Sequence, residues 1–162
     1  DGLKQLHGLG EKDEAAYQLP LKEGRSLFSN KFGDSLLVYG YDLTKLTGGD
    51  ILREAARGVD RLQSLIEGNG HSRFVLMIFP DKLSVYAPML KDRTLAPASL
   101  IPTLAQLNPS QVRLDLAFRR ALEKPVVDLY LPNDTHVGFE GYRIAAQTLT
   151  NHLIANGMAK YH

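Results

Sequence analysis

Apolar residues along this chain alternate between short continuous runs and helically spaced stripes. The Gly33-Asp34 turn comes before the run Leu36-Leu37-Val38, so a strand starts just after Ser35. Thr47-Gly48-Gly49-Asp50 supplies a loop and an N-cap, and Leu52, Ala55, Ala56, Val59, Leu62 and Ile66 then recur at helical spacing until Gly68-Asn69-Gly70. Phe74 to Phe79 is a continuous apolar run ending at Pro80-Asp81-Lys82, the pattern of a central strand buried on both faces. Beyond Pro88 and Pro97, Ser99 caps a short helix with Pro102 in its first turn and Leu100, Leu104 and Leu107 facing inward, stopped by Asn108-Pro109. Val112 to Leu116 reads as a strand, Ala117 to Glu123 as a short helix, and Val126 to Leu131 as another strand. A last helix, marked by Tyr142, Ala145, Ala146, Leu149 and Leu153, runs to Asn156-Gly157.

Strands alternating with helices, with apolar central runs, predict an α/β fold: a three-layer sandwich with a mostly parallel, flavodoxin-like sheet and helices on both faces. Residues 1 to 24 carry scattered glycines and a charged Glu11-Lys12-Asp13-Glu14 cluster and read as an irregular N-terminal arm of a single domain spanning 1–162. With 44% hydrophobic and 23% charged residues the composition is that of an ordinary globule, and no apolar run approaches the length of a membrane span. A formal charge of +1 without a basic stripe argues against nucleic acid as a partner. The absence of cysteine removes disulfides, thiolate metal sites and a Cys nucleophile.

Candidate chemistry gathers after the Val126–Leu131 run, where Pro132-Asn133 ends the apolar stretch and Asp134 and His136 fall on the turn into the last helix. A carboxylate there can accept from one ring nitrogen and leave the other to take a proton from a hydroxyl. The competing reading is a turn residue or helix cap beside a surface imidazole. Gly138 and Gly141 allow a close backbone approach at this turn. His7, His71, His152 and His162 show no ligand spacing with the pair, so no metal is expected.

Asp134-Thr135-His136-Val137-Gly138-Phe139-Glu140-Gly141-Tyr142 resembles the Asp-x-His-Trp-Asn-x-x-Gly-Ala block of the alginate O-acetyltransferase-like group within the SGNH (GDSL-type) hydrolase superfamily. Pro80-Asp81-Lys82-Leu83-Ser84-Val85-Tyr86 is similar to that group's Pro-x-Lys-x-x-x-Tyr segment, and Lys22-Glu23-Gly24-Arg25-Ser26-Leu27-Phe28 to its Gly-Lys-Asp-Gly-Trp-Leu-Phe block. Val137 and Gly138 replace the usual Trp and Asn, and Arg25-Ser26 stands where a Trp is expected.

The resemblance implies an SGNH-type sheet and an extracytoplasmic, periplasmic protein that moves or removes an O-acetyl group on a polysaccharide by a Ser-His-Asp mechanism. The partners it implies are the polysaccharide, an acyl donor and other polysaccharide-export proteins; it implies no cofactor. His136 would be the general base and Asp134 its orienting partner. In that group the nucleophilic Ser lies in a Gly-x-Ser turn well after the Asp-x-His block, which would put it beyond His162 and leave the domain incomplete at its C-terminal side. Within the chain, Gly33-Asp34-Ser35-Leu36 spells the GDSL tetrapeptide and makes Ser35 the alternative nucleophile. Its position before a strand, where a nucleophile of this type follows one, favours a role in the turn and strand start. Lys82 and Tyr86 are the candidate substrate contacts; Lys82 either meets substrate or helps orient the site, in competition with a solvated charge at a strand end. A catalytically degenerate domain that binds glycan or an export partner is the other functional reading.

Overall fold

A computed structural model describes residues 4–6, 16–22, 26–31, 33–43, 49–96, 98–108 and 110–158. Expectations for His7, Glu23 to Arg25, Thr47-Gly48, Pro97, Pro109 and His162 therefore fall outside the described residues.

The sheet is a three-stranded antiparallel meander, β1 (Lys4–Leu6), β2 (Ala16–Pro20) and β3 (Ser35–Tyr39), in the order β1-β2-β3. Ala16 pairs with Tyr39 and Pro20 with Ser35. Two of these strands lie in the stretch expected to be irregular, and the parallel three-layer sandwich is not formed. Leu19, Leu36 and Val38 point inward from β2 and β3 and are fully buried. The helices are α1 (Gly40–Leu43), α2 (Gly49–Glu67), α3 (Lys82–Tyr86), α4 (Ile101–Leu107), α5 (Leu114–Ala121) and α6 (Phe139–Ala155). No helix among the described residues is long and apolar enough to cross a membrane.

Each expected central strand fails for a local reason. Phe74 to Ile78 is half-buried chain and Phe79 is exposed, with one parallel bridge, Met77 to Val112, closed by Val112 N–H donating to Leu76 O at 2.8 Å. Val112, Leu114 and Leu116 alternate like a strand, but Leu114, Phe118, Ala121 and Leu122 also share a helical face, and that face is the one buried. Arg113 reinforces the helix by a bidentate pair to Asp115 in its first turn, both bonds 2.8 Å long. Burial alone would raise the Asp115 pKa, and the two Arg113 hydrogen bonds reverse this and hold it below the usual value. In Val126–Leu131 the break is Asp128, whose φ of +56° takes the chain out of the extended region. Asp128 N–H donates to Leu27 O at 3.1 Å and its carboxylate accepts from Ser29 N–H at 2.9 Å, so the segment docks on residues 27–29.

The core gathers β2, β3, α3, α5 and the Leu129-Tyr130 segment. Through it runs a ladder of rings: Phe28 meets Tyr86 at 5.2 Å, Tyr86 meets Tyr130 at 6.1 Å, and Tyr130 meets Phe118 at 5.8 Å. Phe118 then meets Phe79 at 6.4 Å, and Phe79 meets Tyr142 at 6.0 Å near the surface. The angles are tilted or edge-on, the arrangement the ring quadrupole favours.

The N-terminal end of α6 sits tightly on the Asp128-Leu129 main chain. A Cβ at Gly138 would run into the Asp128 carbonyl, and one at Gly141 into the Leu129 carbonyl and a Val137 methyl. Gly138→Ala and Gly141→Ala are each expected to lower stability by about 1–3 kcal/mol, read as a shift in denaturant midpoint. A midpoint unchanged in both variants would show that this approach is not tight.

Candidate active site

Asp134 and His136 stand on a closed turn between the Leu129–Leu131 segment and α6. Leu131 N–H donates to His136 O at 2.9 Å and Gly138 N–H to Leu129 O at 2.9 Å, with Tyr130 and Val137 bridged antiparallel. Asn30 Nδ2 donates to Asn133 Oδ1 at 2.8 Å and ties the tip to the Ser26–Lys31 segment. Within this turn Asp134 Oδ1 lies 2.9 Å from His136 Nδ1 and also accepts from Thr135 N–H. The hydrogen bond from His136 is the main reason the Asp134 carboxyl is held below its usual pKa. With Nδ1–H donating to the carboxylate, the lone pair of the neutral ring is on Nε2, the atom a general base needs. The His136 side chain is 74% exposed, so Nε2 is open to an incoming molecule.

The turn is held from beneath by Lys82. This lysine is 1% exposed, and its Nζ donates to Leu131 O at 2.8 Å, Asp134 O at 2.8 Å and Pro132 O at 3.3 Å. The ammonium meets three carbonyls of the bend, of which Leu131 O also accepts from Asp134 N–H at 3.4 Å. The ammonium also lies 4.9 Å from the centre of the Phe28 ring. Burial pulls its pKa down to about 8, against the opposing pull of Asp134, Asp42 and Asp128. Lys82 is the first residue of α3, whose N-cap Asp81 accepts from Ser84 N–H at 2.8 Å and fixes the direction in which the lysine leaves the backbone.

His136 borders an open cavity of about 310 Å³, lined also by Asp42, Phe79, Asp81, Tyr130 and Tyr142. Lys82 also lines this cavity, and its bonds to the turn match the site-orienting role expected as one alternative; at 1% exposed it is not the solvated strand-end charge. Tyr86, the other candidate contact, does not line this cavity. It is fully buried between Phe28 and Tyr130, away from the cavity lining, and burial raises its pKa. Ser35 does not line the cavity. It begins β3 and accepts from Gln18 Nε2, whereas the cavity is reached through Asp42 beyond the other end of that strand. Four strand steps at about 3.3 Å put Ser35 about 13 Å from Tyr39.

Sequence reasoning missed Asp42, Asp81, Phe79 and Tyr142. The signal for the first three was positional, since each stands at or just past the end of an apolar run, where open sites collect side chains. Tyr142 reads as a core position by helical spacing, yet it is 55% exposed. Among the described residues no group of His, Asp and Glu has a metal-holding arrangement. No protein-family model, curated protein or solved structure matches the chain.

Lys82→Met removes the donors to the three carbonyls and is expected to cost about 2 kcal/mol at neutral pH. The pH dependence has a definite sign. Between about pH 8 and the ordinary lysine value of 10.5 the unfolded chain carries the Lys82 proton and the folded chain does not, so this group makes stability rise with pH across that window. Denaturant titrations of both proteins should show the stability gap widening from pH 8 to 10. A gap that narrows would contradict the assignment.

Proposed function

We propose that Asp134 and His136 form the general-base pair of an acyl-transfer site that moves or removes an O-acetyl group on a polysaccharide. The reading is carried by the 2.9 Å contact between Asp134 Oδ1 and His136 Nδ1 on a turn fixed by Lys82, which leaves Nε2 open at a cavity. It is supported by the three sequence blocks that resemble the alginate O-acetyltransferase-like group. In this scheme a hydroxyl oxygen attacks the ester carbonyl while His136 Nε2 takes its proton. The Asp134 carboxylate stabilises the imidazolium so formed, and the proton is returned to the departing alkoxide. The scheme calls for no diffusible cofactor. Ser35 does not line the cavity beside His136, so in this scheme the attacking hydroxyl is that of the sugar acceptor, a water or a serine outside the described cavity lining. The resemblance implies an activity outside the cytoplasm, beside other proteins of polysaccharide export.

A second reading has one observation in its favour: no serine lines the cavity among the described residues. In that case the site holds glycan, or a partner of the export machinery, without turning it over.

Hydrolysis of a chromogenic acetyl ester separates the two. On the catalytic reading His136→Ala lowers the rate at least 100-fold and Asp134→Asn by a smaller factor. A wild-type rate in His136→Ala refutes it. A fluorophosphonate probe that labels Ser35 would restore that residue as nucleophile and overturn its separation from the cavity. Polysaccharide binding with neither turnover nor labelling is the outcome expected of a binding domain.

A further inference from the structure

The 19-residue helix α2 packs on α4 and buries Leu52 and Ala56, yet a second apolar stripe on it faces outward. Ile51, Ala55, Gly58, Leu62 and Leu65 follow one another at steps of four, three, four and three, the spacing of about 3.5 residues that a straight partner helix reads as one seam. All five are exposed, Ile51 at 48%, Leu62 at 49% and Leu65 at 75%. A helix that needed only its inner face would carry polar residues here.

Gly58 gives an independent indication. A glycine in mid-helix weakens the helix relative to alanine, and it is kept where another backbone must come close. Among the described residues nothing does: a Cβ at Gly58 would meet no atom of theirs within 4 Å. Its use is for contact from outside, at the middle of the stripe, beside the small Ala55.

The charges say what makes that contact. Glu54 and Arg61 each stand one residue before a stripe position, so both lie along one edge of the seam, and among the described residues neither is in an ion pair. The other edge holds Leu52, which is buried, and Val59, which is half-buried. Two copies of α2 packed antiparallel put charged edge against charged edge. Ile51 then faces the partner's Leu62, Ala55 faces the partner's Gly58, and Glu54 meets the partner's Arg61 twice over by symmetry. Parallel packing would instead set the charged edge against an apolar edge already engaged in the core. We infer that the outer face of α2 is a self-association surface on which a second copy of this chain docks antiparallel about Ala55 and Gly58.

Sedimentation equilibrium on the full chain tests this. The wild type should show a concentration-dependent monomer–dimer equilibrium. Glu54→Arg and Arg61→Glu, both at exposed positions, should each weaken it about tenfold, and the double exchange should restore it. Gly58→Gln should abolish the dimer without lowering thermal stability, which separates loss of docking from loss of fold. A chain that stays monomeric at high micromolar concentration, a dimer indifferent to Gly58→Gln, or a double exchange no better than the single ones would each overturn the proposal; the first would leave the face to a different protein.

Discussion

One buried ammonium fixes the turn that carries Asp134 and His136. The turn from Leu131 to His136 satisfies only part of its own carbonyls, and a cation from a distant part of the sequence donates to three of them at once. Bringing a charge out of water is costly, and Lys82 is retained because each of its donors is used. The consequence is positional. Residues 82 and 134 are brought together by main-chain oxygens, so the carboxylate of Asp134 stays available for His136.

The rest of the architecture supports this contact from two sides. Asp81 caps α3 and directs the lysine, while Phe28 lies beside its ammonium and stacks on Tyr86. On the far side, Gly138 and Gly141 let α6 close against Asp128 and Leu129, which sets the turn's second leg. Asp128 contributes through backbone and side chain: at its positive φ, its N–H and its carboxylate both dock the segment on residues 27–29, which hold the Phe28 ring beside the Lys82 ammonium. Three stretches far apart in sequence, residues 27–29, 81–82 and 128–141, thus converge on a turn whose Asp134 and His136 are separated by a single residue.

Much of the site was legible in the sequence because its determinants are local. Asp134 and His136 sit at fixed spacing on a turn announced by Pro132-Asn133, and the two glycines beside them have the close-approach role their type suggests. The long helices were equally readable: α2 ends where Gly70 adopts a left-handed conformation, and α6 where Gly157 does. The sheet was misread for a physical reason. Val112-Arg113-Leu114-Asp115-Leu116 satisfies a two-residue and a helical period together, and only the burial of Leu114, Phe118 and Leu122 on one face decides between them. The solvated-charge reading of Lys82 failed because a lysine after an apolar run usually faces water; that its ammonium has three carbonyls within reach is a tertiary fact with no local signature. The strands within residues 4–20 were invisible for the related reason that short antiparallel strands take their stability from a partner.

The ring ladder from Phe28 to Tyr142 has a spectroscopic consequence. The chain contains no tryptophan, so its near-ultraviolet absorption, dichroism and emission come chiefly from its seven tyrosines. Two of those, Tyr86 and Tyr130, are stacked inside the hydrophobic core, and a third, Tyr142, ends the same series of rings at the cavity mouth. Occupation of the cavity and loosening of the interior will therefore alter the same optical bands. Titrating a solute at fixed denaturant, and then denaturant at fixed solute, is what tells the two apart.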